Sequence, residues 1–178
     1  NKKLLIEKFI EYFNRIHEKS ILPLYVFAGG ETPKPFFEAL ASKIKKFENS
    51  TIILSDERLV STKKKISNYY NLNKYFFKNL SVKSYPKYLA LNHSVSLIND
   101  LKTLNGPEIS LLGMGTDGHT ASLFPFNEDI IKKKDNIILT KNKNESFNRI
   151  SLTFNFLLKS KNLAFLLSGK EKFDILKF

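Results

Sequence analysis

The chain has 178 residues, 42% of them hydrophobic, and its 29 Lys and Arg against 17 Asp and Glu give a net charge of +12. That length suits a single domain over 1–178 with a sizeable core, and no apolar run approaches the roughly 20 residues needed to cross a bilayer, so no membrane partner is expected. The lack of cysteine excludes disulfides and thiolate metal sites, and makes the cytoplasm the expected compartment.

Along the chain, short apolar runs alternate with helical patterns. Segment 3–19 puts Leu5, Phe9, Phe13 and Ile16 on one helix face, with His17 as a structural residue and Arg15 on the surface. LYVF (24–27) reads as the first strand, and AGGETPKP (28–35) follows it directly. There, Gly29 and Gly30 allow positive φ and close approach of backbone N–H groups. Thr32 is a suitable N-cap and Pro33 a suitable first helical residue. A helix N-terminus behind glycines is an anion site, although the spacing matches neither the nucleotide P-loop nor the dinucleotide fingerprint. A tight turn with no ligand would explain the same residues. The following helix, 33–47, carries Phe36, Phe37, Leu40, Ile44 and Phe47 on one face.

TIIL (51–54) is the second strand, and SDERLV (55–60) at its end brings together Asp56, Glu57 and Arg58. Such a cluster reads either as a surface ion-pair group or as part of a site. Segments 67–80 and 93–105 are weaker helices, with His93 at the start of the second. ISLL (109–112) then leads into LLGMGTDGHTASLFP (111–125), where Gly113, Gly115 and Gly118 crowd around Asp117 and His119. Glycines keep bulk away from His119, whose imidazole can act as a general base, and Asp117 could orient the ring or hold a water. Three histidines without metal-ligand spacing predict no metal. IILT (137–140), RISLT (149–153) and LAFLL (163–167) complete the strands, and the chain ends within KEKFDILKF, which reads as an unfinished helix.

Continuously apolar strands separated by helices predict an α/β fold. The sheet is expected to be doubly wound, mainly parallel and Rossmann-like, with helices on both faces and a C-terminal part that is cut short. Ligands of such sheets sit beyond the carboxyl ends of the strands, which directs attention to the loops after LYVF, TIIL and ISLL. The lysines, as in KIKK (43–46) and the KKK runs at 63–65 and 132–134, are spread along the chain and read as solvated faces of a lysine-rich composition. Interleaved basic and aromatic motifs of the RNA-binding type are absent, so no nucleic acid is expected. Arginine is the scarcer cation, at only Arg15, Arg58 and Arg149, and its planar fork grips phosphate or carboxylate as lysine cannot.

The three loops together resemble the 6-phosphogluconolactonases of the glucosamine-6-phosphate isomerase/6-phosphogluconolactonase family. AGGETPKP is similar to their sugar-phosphate loop, SDERLV with SNYY (67–70) to their second loop, and GMGTDGHTASLFP closely matches their signature. RISLT with Arg149 and SGKEK (168–172) with Lys170 follow in the family's order, so the resemblance covers about residues 22–178. It implies hydrolysis of 6-phosphoglucono-δ-lactone by a monomer that uses neither cofactor nor metal. His119 would be the base and Arg58 would bind substrate or stabilise the oxyanion. Gly29, Gly30, Thr32, Arg149 and Lys170 would hold the phosphate. Four positions depart from the family's pattern: Ala28 and Glu31 stand where the phosphate loop usually has serines, and Ser61 and Lys63 where the second loop usually has Pro and Asp. Glu31 suits a phosphate only if it points away or pairs with Lys34. The related deaminases resemble a DEY-type second loop and a downstream Asn-Glu-Pro, where this chain has DER and SLFP. An amino-sugar-phosphate deaminase and a non-catalytic sugar-phosphate binder are the competing readings.

Overall fold

A computed structural model describes residues 2–81, 85–92, 94–125, 127–143, 145–172 and 175. Five strands form one parallel sheet: β1 (Leu24–Phe27), β2 (Thr51–Leu54), β4 (Lys87–Leu89), β5 (Ile109–Leu112) and β8 (Asn162–Phe165), in the order β4-β2-β1-β5-β8. Side chains alternate across the central strand. Tyr25 and Phe27 of β1 face one core, with the helices α1 (Lys2–His17), α2 (Lys34–Lys43) and α3 (Asn68–Tyr75). Leu24 and Val26 face the other, with α4 (Val95–Thr103), α5 (Glu128–Ile131) and α6 (Phe154–Leu157). Both faces of the sheet are covered, as continuously apolar strands require.

The second core is also closed by something the strand pattern did not predict. The strands β3 (Asp56–Arg58), β7 (Asn148–Leu152) and β6 (Ile137–Lys141) form a separate antiparallel sheet, in the order β3-β7-β6. IILT and RISLT therefore pair with each other as a hairpin rather than joining the parallel sheet. DER, read as loop, is a short strand opposite β7. The two sheets are stitched at Ser55, whose N–H donates to Phe27 O at 2.9 Å while its own carbonyl accepts from Leu152 N at 2.9 Å.

Other expectations shift by smaller amounts. The buried stripe of α1 is Ile6, Ile10 and Phe13, while Leu5 is 51% exposed, because neighbouring apolar residues leave the helix a choice of face. His17 is structural as expected, with Nδ1 2.8 Å from the Tyr25 hydroxyl and Nε2 3.1 Å from Lys46 O. Helix α2 ends at Lys43, yet Ile44 and Phe47 stay buried from an extended segment. Phe13, Tyr25, Phe27, Phe36, Phe37, Phe47 and Phe76 pack as one aromatic cluster. His93 and much of the C-terminal helix expected over 170–178 lie outside the described residues, and Lys170–Lys172 form a 3-10 turn.

Candidate active site

The segments that follow β1, β2 and β5 open onto one concavity of about 160 Å³, lined by Gly29, Gly30, Thr32, Arg58, His119 and Arg149 together with Asp56, Asn68 and Ala121. A larger hollow of about 740 Å³ lies beside α4 and β6, but lysines, Asp135, amides and aliphatic groups line it, with no histidine or arginine. The chemistry gathers in the smaller one.

The β1 loop is shaped by close packing rather than by unusual backbone angles. Positive φ occurs at Gly106, Gly118 and Gly169 among the glycines, and not at Gly29 or Gly30. Gly29 is required for another reason: a Cβ there would lie 2.3 Å from the Asn68 Cβ. The same contact lets Asn71 Nδ2 donate to Gly29 O at 3.1 Å, which fixes the loop against α3. Thr32 does not cap α2. Pro33 occupies that position without a side-chain bond, since the helix starts later than its Thr-Pro signal suggests. Glu31 lines the rim of the cleft, is exposed there, and pairs with Lys34 Nζ at 2.5 Å, which offsets its charge.

Strands β3 and β7 supply the cations. Asp56 pairs with Ser151, Glu57 with Ile150 and Arg58 with Arg149, which sets two arginines opposite each other on one ladder. Like charges so placed are unfavourable unless anions surround them. Arg58 Nη1 donates to Ile66 O at 2.6 Å, while its buried Nε has no partner among the described residues. Arg149 is buried and held by two carboxylates. Its Nη1 is 3.6 Å from Asp56 Oδ2, and its Nε donates to Glu145 Oε2 at 2.7 Å while Nη2 donates to Glu145 Oε1. Asp56 is itself fixed by Ser122 Oγ at 2.7 Å, Asn68 Nδ2 at 3.2 Å and Ser55 Oγ at 3.2 Å. Glu57 points into α3, where it accepts from the N–H groups of Asn68 and Tyr69 at 2.7 Å and from Ser67 Oγ at 3.1 Å. Burial raises its pKa, and these bonds, with one from Arg58 N, offset the rise only in part. Glu57 thus clamps the Arg58 strand to a helix N-terminus.

The β5 loop carries His119. Gly118 takes φ +86°, and a Cβ on Gly115 would stand 2.2 Å from His119 Nδ1, so the loop needs glycine to fold back over the ring. Ala121 also adopts a left-handed φ of +52°, a strain of about 1–2 kcal/mol that turns Ser122 inward to Asp56. His119 Nδ1 is 2.5 Å from Asp117 Oδ1, and the same oxygen accepts from His119 N at 3.2 Å. Burial pushes the Asp117 pKa up, but the bonds from the His119 ring and backbone outweigh it and hold the carboxyl below its ordinary value. An ionised carboxylate only accepts, so in the neutral ring the proton sits on Nδ1 and the lone pair is on Nε2.

Of the residues singled out in the sequence, Gly29, Gly30, Thr32, Arg58, His119 and Arg149 line the cleft, and Asp117 stands behind His119. Lys170 does not: it is exposed in the 3-10 turn after β8 and does not line the cleft. Arg15 is exposed on α1 over the Tyr12 ring. Sequence reasoning gave no role to Asn68, Ser122 and Glu145: the first two lie within SNYY and GMGTDGHTASLFP, but what all three bind is set by contacts across the fold.

Residues 5–178 match the model of the family described as glucosamine-6-phosphate isomerases/6-phosphogluconolactonase. The 6-phosphogluconolactonase of Helicobacter pylori strain J99 is 33% identical over 98% of this chain and 80% of its own length. The crystal structure of the Thermotoga maritima 6-phosphogluconolactonase superposes with a TM-score of 0.85 at 28% identity, over 99% of this chain and 84% of that one. A monomeric glucosamine-6-phosphate deaminase is similar in fold alone, with a TM-score of 0.84 at 19% identity over 99% of this chain and 83% of its own.

Proposed function

The chain belongs to the glucosamine-6-phosphate isomerase/6-phosphogluconolactonase family, and from that premise we propose that it hydrolyses 6-phosphoglucono-δ-lactone to 6-phosphogluconate, a step of the pentose phosphate pathway. The observation that carries this reading is the meeting of an Asp-oriented imidazole with two opposed arginines in one cleft. His119 Nε2 takes a proton from a water as its oxygen attacks the lactone carbonyl carbon. The carbonyl oxygen becomes an oxyanion facing the Arg58 side chain, which lines the cleft and supplies positive charge. When the tetrahedral intermediate collapses, the ring C–O bond breaks and the imidazolium returns the proton to the departing ring oxygen. The product is an open-chain acid with a free hydroxyl.

Asp117 keeps the ring in the tautomer this sequence needs and stabilises the imidazolium that forms. The phosphate is assigned to Gly29, Gly30 and Thr32, with Arg149 supplying the charge. Lys170 stands outside the cleft and takes no part in this scheme. An activated ester demands less acceleration than an amide, so one base and two cations are adequate machinery. The test is a lactonase assay on the purified chain, with spontaneous ring opening subtracted. Turnover above that background is expected. Release of ammonia from glucosamine 6-phosphate without lactone hydrolysis would replace this reading with the deaminase one.

A further inference from the structure

The guanidinium of Arg149 is already occupied. Glu145 sits in the turn between β6 and β7 and grips it with both carboxylate oxygens, Oε2 at 2.7 Å from Nε and Oε1 on Nη2. A carboxylate held by two parallel N–H groups is the arrangement a phosphate would adopt on the same fork. The second carboxylate on Arg149 differs in kind: Asp56 lies on β3 and is tied down by Ser55, Asn68 and Ser122. Among the described residues, Glu145 has no such anchors beyond Arg149 itself and a turn bond from its own N–H to Asn142 O at 3.1 Å. Asp56 is fixed, and Glu145 is replaceable.

We propose that Glu145 is a resident stand-in for the ligand's phosphate: it satisfies the fork of Arg149, and the phosphate binds by displacing it. Glu145 then determines specificity. A ligand must compensate for the broken two-point ion pair, which a phosphate carrying about −1.5 to −2 charge does and an uncharged hydroxymethyl group does not. The carboxyl of Glu145 is held below its ordinary pKa by the bond to Arg149, against a burial penalty, with further help from the charges of Arg149, Arg58 and His119. It therefore remains an anion while it waits. This inference rests on the assignment of the phosphate to Arg149 above.

Calorimetric titration of the whole chain with inorganic phosphate and with 6-phosphogluconate, neither of which requires turnover, tests it. Glu145→Gln and Glu145→Ala should bind both ligands more tightly, by about tenfold for the alanine variant, because no ion pair has to be broken first. The gain should vanish when Arg149→Ala is combined with either variant. Unchanged or weaker binding in both single variants would overturn the proposal and make Glu145 a residue that positions Arg149. A gain that persists without Arg149 would overturn it too, as a mere change of net charge. Tighter phosphate binding in a protein that hydrolyses no lactone would sink the lactonase reading and leave this one standing.

Discussion

The two sheets divide the work. Strands β1 and β5 of the parallel sheet are buried along their whole length, and they contribute the loops with glycines and His119 but no cation. The antiparallel sheet is short, mixes polar with apolar side chains, and delivers both guanidinium groups on adjacent strands. The first is a scaffold whose order comes from apolar burial. The second is a bracket whose geometry is fixed by carboxylates, namely Asp56 behind Arg149 and Glu57 behind the Arg58 strand. Rigidity reaches the site by two separate physical routes, and they should fail separately.

The largest effect tests the chemistry that hangs from the scaffold. His119→Ala should lower kcat by about 10²–10⁴-fold with little change in product affinity or unfolding temperature. Asp117→Asn should lose less. Asp117→Ala should lose more than Asp117→Asn, whose amide oxygen can still accept from Nδ1. Equal kcat losses for the two variants would mean that the tautomer argument is wrong.

Next comes the scaffold itself. Phe27 is fully buried at the centre of the aromatic cluster, so Phe27→Ala should cost about 3–5 kcal/mol in denaturant unfolding. If the division holds, what remains folded keeps its ligand affinity. Smaller effects belong to the bracket. Arg58→Lys or Arg149→Lys should weaken phosphate-containing ligands by roughly 1–3 kcal/mol, measured calorimetrically, with stability nearly intact. Arg15→Lys should change neither. Equal losses at all three would show that scarcity of arginine had been mistaken for function.

That division also explains what could be read in advance. LYVF, TIIL and ISLL announce themselves because strands buried on both faces must be apolar throughout, and the glycines around His119 are dense enough to mark a site. DER gives no such signal: three charged residues look like a surface loop until Ser151, Ile150 and Arg149 are known to pair with them. The hairpin of β6 and β7 was visible as two strands, but not its orientation, since alternation on β6 is interrupted and nothing local says which sheet a strand joins. Glu145 was invisible for a plainer reason. It lies in the polar run NKNES, and only the fold puts it on Arg149.

The pairing pattern has a consequence for how the chain assembles. Every neighbour within the parallel sheet is reached by a crossover, so Tyr25 waits for Ile109 before its strand has both partners, and Arg58 waits for Arg149. Contacts so distant along the chain incur loop-closure entropy early and gain their stabilisation late, which slows folding. The aromatic cluster of α1, β1 and α2 can collapse first, because its members are close in sequence. The cleft cannot. Its last wall arrives with β7, after the remainder of the pocket has emerged, so a growing chain acquires its hydrophobic heart long before it acquires a place for an anion.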